Sequence, residues 1–96
     1  MYTEDDVPPG VLMGTFEAWT YRHLSESEQL GRSRRGRAVL RELQRLTVRA
    51  LWDSARADGL PASAGEPGAV TIGLFARLDG EALAGEARAR VRARYK

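Results

Sequence analysis

The chain has 96 residues, carries a formal net charge of +2 and contains no cysteine. Its length predicts one small domain over residues 1–96 with a single modest core. The lack of cysteine excludes disulfides and zinc–thiolate sites. No apolar run approaches the roughly 20 residues that span a bilayer, and the acidic N-terminus is unlike a signal peptide. We therefore expect a cytoplasmic protein with no membrane partner.

Residues 1–10 read as an acidic arm that contains two prolines and a glycine, a composition that argues against regular structure. Charge is divided unevenly along the chain. Residues 1–31 carry six acidic residues and one arginine, a net charge of −5, whereas residues 32–96 carry fourteen basic and seven acidic residues, a net charge of +7. Such a split can be satisfied within one fold or between subunits packed head to tail.

Residues 15–24 are predicted to form the first helix. Thr15 can cap its N-terminus, and Glu17 would lie in the first turn, where the helix dipole favours an anion. Trp19 and His23 share one face, which we interpret as half of the core. His23 has neither a cysteine nor a paired carboxylate near it in sequence, so we expect a residue at the edge of the core or on the surface, and no catalytic or metal-binding role.

Residues 34–58 are predicted to form one long amphipathic helix, in which apolar residues recur at spacings of three and four. Ser33 suits the N-cap position, and Gly59 followed by Pro61 would end the helix. A helix of this length would measure about 37 Å. A chain of this size has an expected radius of gyration of only about 12 Å. The helix must therefore kink, cross the whole domain or project into a neighbour.

Arginines line the polar side of this helix at a spacing of four, and their mutual repulsion indicates an anionic partner such as nucleic acid. A solvated face is the simpler explanation, because Glu42 and Asp53 are spaced to pair with some of them and Lys96 is the only lysine, as in GC-rich codon usage. Trp52 suits the core or a protein interface better than stacking on bases. The candidate binding residues of this helix are Arg34, Arg37, Arg41, Arg45, Arg49, Trp52 and Arg56.

Residues 70–78 and 81–95 are predicted to form a C-terminal β-hairpin. The first segment alternates apolar and polar residues, and Asp79-Gly80 is the preferred dipeptide of a type I′ turn. From Ala87 onwards the alternation is strict and gives a strand with a basic face. The candidate binding residues there are Arg88, Arg90, Arg92 and Arg94. The predicted fold is α+β, two helices packed on this hairpin. The alternative is a mostly α fold with residues 81–96 helical, because Ala, Glu and Arg are good helix formers.

No catalytic constellation, cofactor motif or metal-ligand spacing is present, so we expect a protein that is not an enzyme and has no cofactor. The long helix, the strand that overruns its partner and the charge split favour an assembly protein. It would be a small basic subunit of a homo-oligomer or larger complex, such as a phage-type structural component, bound to itself or to another protein. The alternative is a DNA- or RNA-binding module. A helix followed by a hairpin resembles a winged-helix module, with residues 46–60 as the reading helix.

Overall fold

A computed structural model describes residues 7–8, 10–24, 32–57 and 73–94. Of these residues 82% are helical, and none lies in a strand. The helices are α1 (Met13–Arg22), α2 (Arg34–Ala57), α3, whose described residues are 73–76, and α4 (Gly80–Arg94). The predicted hairpin is therefore wrong, and with it the wing of the winged-helix interpretation. The mostly helical alternative is the fold.

The long helix was predicted almost to the residue. α2 spans Arg34–Ala57, and the side-chain oxygen of Ser33 accepts a hydrogen bond from the backbone N–H of Gly36 at 2.9 Å. The prediction for α1 was less accurate, because this helix begins at Met13, with Leu12 at the N-cap position and no side-chain cap. Thr15 is thus inside the helix. The predicted C-terminal stop of α2 lies outside the described residues.

Two hydrophobic clusters lie along α2. The α1 cluster is formed at the C-terminal half of α2 by Val7, Phe16, Leu51, Ala55, Leu74 and Phe75. The α4 cluster is formed at the N-terminal half by Leu24, Ala38, Val39, Leu43, Leu46, Ala84, Ala87 and Val91. The apolar side of α2 is therefore buried within its own chain along most of its length, which explains why the helix can be so long.

Both α1 and α4 run antiparallel to α2. Phe16, early in α1, packs with the C-terminal half of α2, whereas Leu24, just beyond α1, packs with the N-terminal half. α4 follows Phe75, which packs with the C-terminal half of α2. It ends at Arg94, which contacts Glu42 in the N-terminal half of α2. At about 36 Å, α2 accounts for most of the longest axis of the molecule, which measures 43 Å. Of the three arrangements that the sequence allows for this helix (a kink, a path across the whole domain or a projection into a neighbour), the structure shows the second.

The first half of the predicted hairpin fails because two successive side chains are buried. Leu74 is 1% exposed and Phe75 is 7% exposed, and both belong to the α1 cluster. Successive residues of a strand point to opposite faces, so a strand covered on one side could not bury both. A helical turn can, because neighbouring positions on a helix differ by only about 100°. Residues 70–72 lie outside the described part of the chain.

The predicted hairpin turn is in fact the start of α4. The side chain of Asp79 accepts a hydrogen bond from the backbone N–H of Ala82 at 3.1 Å, which makes Asp79 an N-cap. Among the described glycines only Gly10 has a positive φ, so Gly80 does not adopt the turn conformation. Gly80 is instead buried against the residue that caps the C-terminus of α1, because a Cβ atom at Gly80 would overlap the imidazole ring of His23.

The second predicted strand is the body of α4. Its buried residues Ala84, Ala87 and Val91 are spaced by three and four, as one face of a helix requires. The alternation of alanine and arginine was misleading because Ala89 and Ala93, which a strand would turn towards the core, are exposed. Alanine gains little from burial and has the highest helix propensity, so the helix is favoured here. Residues 95–96 lie outside the described part of the chain.

Candidate partner-binding surface

The arginines predicted on α2 form an exposed row along the helix. From Arg37 to Arg49 the successive members are four residues apart, about 6 Å along the axis. Seven arginines and two acidic residues give α2 a net charge of +5. The exposed predicted residues are Arg34, Arg37, Arg41, Arg45, Arg49 and Arg56, and Trp52 among them is half-buried.

The row meets α4 at a buried carboxylate. Glu42 is 2% exposed. Its Oε1 accepts a hydrogen bond from Nη1 of Arg90 at 3.2 Å. Its Oε2 lies 3.2 Å from Nη1 of Arg94 and 3.6 Å from Nη1 of Arg45. Three guanidinium groups from two helices thus gather on one carboxylate, although Arg90 and Arg94 lie 45 and 49 positions after Arg45 in the sequence.

Arg90 is the most constrained of these three groups. Its Nη2 donates a second hydrogen bond, to Oε1 of Glu86 at 2.9 Å, so the guanidinium bridges two carboxylates. The hydrogen bond to Glu42 is the largest cause raising the pKa of Arg90, desolvation opposes it, and Glu86 adds to the increase. The pKa of Arg90 is higher in the folded protein than in the unfolded chain. The stabilisation that its ion pairs give is therefore complete below the unfolded-state pKa and is lost only as the pH rises through the folded-state pKa. The ionisation of Arg90 therefore adds no pH dependence near neutrality.

The four predicted binding arginines of α4 do not share one face. At about 100° per residue, Arg90 and Arg94 lie together on the flank that faces Glu42. Arg88 and Arg92 lie together on the opposite flank of α4, where Arg88 is half-buried and Arg92 is exposed. A strand would have placed all four side by side, so the change from strand to helix divides the predicted basic face into two.

Arg56, the predicted arginine nearest the C-terminus of α2, belongs to a separate, local ion pair. Nη2 of Arg56 lies 2.6 Å from Oδ1 of Asp53, and both side chains are more than 60% exposed. An exposed pair of this kind contributes about 0–1 kcal/mol to stability. We define the arginine surface as the other exposed arginines predicted on α2 with the two arginines of α4 that contact Glu42: Arg34, Arg37, Arg41, Arg45, Arg49, Arg90 and Arg94.

Glu42 is the residue that sequence reasoning missed. Its spacing from Arg45 predicted a surface ion pair, and that pair is present, but neither the burial of the carboxylate nor its contacts with α4 were foreseen. A signal did exist. Ala38, Glu42 and Leu46 succeed one another at one-turn intervals, and a carboxylate between two positions of the apolar stripe is expected to be buried and paired.

Other kinds of site find little support in the described residues. They contain no group of three or more histidine, cysteine, aspartate or glutamate residues that could hold a metal ion. His23 is half-buried, with its ring centroid 4.4 Å from that of Trp19, at the edge of the core as predicted. None of the described helices combines the length and apolar character needed to cross a bilayer.

Comparison with protein-family models, with curated proteins and with solved structures gives no match. Only the residues of this chain therefore bear on its function. Their most distinctive arrangement is the arginine surface, in which the exposed row of α2 and two arginines of α4 meet at Glu42.

Proposed function

We propose that this protein is a non-enzymatic binding protein whose arginine surface engages the phosphate backbone of a nucleic acid. The observation that carries the proposal is the convergence of Arg45, Arg90 and Arg94 on one buried carboxylate, beside an exposed arginine row. The fold brings together charges that are remote in sequence. Codon bias can enrich a chain in arginine, but it does not determine where the side chains gather.

The charge balance of this surface favours an anionic partner. Three guanidinium groups share Glu42. The single negative charge of Glu42 neutralises one of their three positive charges, and Glu86 on the edge of the surface neutralises a second. The exposed row on α2 adds further positive charge at one-turn spacing. Binding of a polyanion would release the counterions that such a surface gathers, which is the main source of sequence-independent affinity for nucleic acids.

Self-association or assembly into a larger complex is the second candidate, and the charge split between residues 1–31 and 32–96 favours it. Two sequence features that favoured assembly do not hold in the structure. The segment predicted as an overrunning strand is a helix, and the apolar side of α2 is covered within its own chain. If charge joins subunits, light scattering should report an oligomer at low salt that dissociates at high salt. A monomer at both salt concentrations would contradict this candidate.

We expect the protein to bind a labelled random-sequence duplex in fluorescence anisotropy, with an affinity that falls steeply as salt rises. Each phosphate neutralised contributes about 0.9 to the slope of log K against log salt, so four contacts would give a slope of about −4. Single-stranded DNA and RNA of equal length would be titrated in parallel. A lack of binding to all three at low salt would refute the proposal.

Substitution of Arg41→Glu together with Arg49→Glu should abolish binding, because both reversals fall on the arginine surface. The matched control is Arg22→Glu with Arg77→Glu, which changes the net charge equally but alters residues outside α2 and α4. Circular dichroism would confirm that both variants fold. Equal losses of affinity in the two variants would mean that net charge alone governs binding and that the arginine surface is not the site.

A further inference from the structure

The geometry around Glu42 points to a specific role within the arginine surface. We propose, on the basis of the nucleic-acid function above, that Arg45, Arg90 and Arg94 form a phosphate clamp, and that Glu42 is the positioning residue that orients it. The clamp is the place where one backbone phosphate is held by guanidinium groups from both α2 and α4. The other arginines of the surface contribute mainly their charge.

Burial divides the roles of these side chains. The side chain of Glu42 is 3% exposed, whereas those of Arg45, Arg90 and Arg94 are 61%, 43% and 56% exposed. A phosphate that approaches from solvent therefore meets the guanidinium groups and not the carboxylate. Each guanidinium has five N–H donors in a planar fork, and the contacts with Glu42 involve one terminal nitrogen of each group, so donors remain for a phosphate.

Glu42 prepares the clamp by restricting its arginines before the ligand arrives. A free arginine side chain samples many rotamers and loses that freedom on binding, which weakens affinity. Here Oε1 of Glu42 accepts a hydrogen bond from Arg90, and Oε2 lies within ion-pair distance of Arg94 and Arg45, so a single buried group contacts all three. Glu86 differs from it, because it is half-exposed and, within the described part of the chain, its ion pair is with Arg90.

The first test keeps the positive charge of two clamp residues and removes their planar guanidinium groups. Arg90→Lys combined with Arg94→Lys should weaken duplex binding by about threefold or more, because lysine cannot make the bidentate contact. The control, Arg56→Lys, alters an arginine of α2 outside the arginine surface and should bind like the wild type. Arg90→Gln with Arg94→Gln should in addition reduce the salt slope by about 2. If the paired lysine variant binds like the wild type, the clamp is wrong.

The second test separates positioning from charge. Glu42→Gln and Glu86→Gln each remove one negative charge next to Arg90. Simple electrostatics predicts tighter binding for both, whereas the positioning role predicts that Glu86→Gln binds as well as the wild type or better and that Glu42→Gln binds about threefold worse. Tighter binding by Glu42→Gln, to the same degree as by Glu86→Gln, would overturn the positioning role.

Folding is measured separately, since a merely structural role for Glu42 would lower the melting temperature of Glu42→Gln without changing the affinity of the folded protein. Affinity is therefore measured well below the melting temperature of each variant. The two proposals fail in different ways. A wild-type protein that binds no nucleic acid refutes both, whereas salt-dependent binding that is unaffected in every clamp variant refutes the clamp and leaves the arginine surface as a diffuse site.

Discussion

Phe16→Ala is expected to lower the free energy of unfolding by about 3–5 kcal/mol, the usual cost of truncating a buried phenylalanine. Phe16 is 0% exposed and lies in the α1 cluster with Leu51 and Ala55 of α2. A domain of this size has a total stability of roughly 5–15 kcal/mol. The variant should therefore unfold at a much lower urea concentration, or fail to fold at 37 °C.

The control for this variant is Leu12→Ala, because Leu12 precedes the same helix but is 49% exposed. We expect its stability to lie within about 0.5 kcal/mol of the wild type. Hydrogen exchange would show which part of the structure the substitution destabilises. In Phe16→Ala, amides in the C-terminal half of α2 should lose more protection than those in the N-terminal half. Similar unfolding midpoints for the two variants would contradict the assignment of Phe16 to the core.

Gly80→Ala is expected to destabilise the protein by about 1–3 kcal/mol, although alanine is the better helix former. The added Cβ would overlap the ring of His23. That ring has little room to retreat, since its centroid lies 4.4 Å from that of Trp19, which in turn lies 5.4 Å from that of Phe75. The substitution should therefore separate the end of α1 from the start of α4, and thermal melting would report the loss.

Gly85→Ala is a control within the same helix that should change stability in the opposite direction. A Cβ at Gly85 meets no atom within 4 Å, so this variant should be more stable by about 0.5–1 kcal/mol. If steric overlap is the cause, His23→Ala should rescue Gly80→Ala, with a coupling energy of about 0.5–3 kcal/mol in the double-mutant cycle. A gain in stability for Gly80→Ala, like that for Gly85→Ala, would show that the close contact is absent.

The sequence predicted α2 well because its signals agree. The apolar stripe carries large side chains such as Leu43 and Leu51, and Ser33 caps the N-terminus. It predicted α4 badly because alanine counts as apolar in a pattern whether or not it is buried. Ala87 is buried and Ala89 is exposed, so the regular alternation carried no information about a core. The Asp79-Gly80 pair added a second misleading signal, since aspartate serves equally well as a helix N-cap and in a turn.

The candidate site was predictable only where its contacts are local. Pairing of Arg45 with Glu42 and of Arg56 with Asp53 follows from a spacing of three residues on one helix. The contacts of Arg90 and Arg94 with Glu42 depend on how α4 packs against α2, and a prediction that treats residues 81–95 as a strand cannot produce them. Burial of Glu42 is likewise a tertiary property, because the side chain is covered only once α4 is in place.

The arginine row also sets a requirement on the shape of the polyanion proposed to bind it. Residues four apart on a helix are offset by about 40°, so the row from Arg37 to Arg49 winds about 120° around α2 over about 18 Å. A flat, rigid surface could touch only part of such a row. A partner that contacts all of it must follow the curve of the helix, which a flexible single strand does more readily than a straight duplex. Single-stranded RNA or DNA should therefore outcompete a duplex of equal charge for this surface.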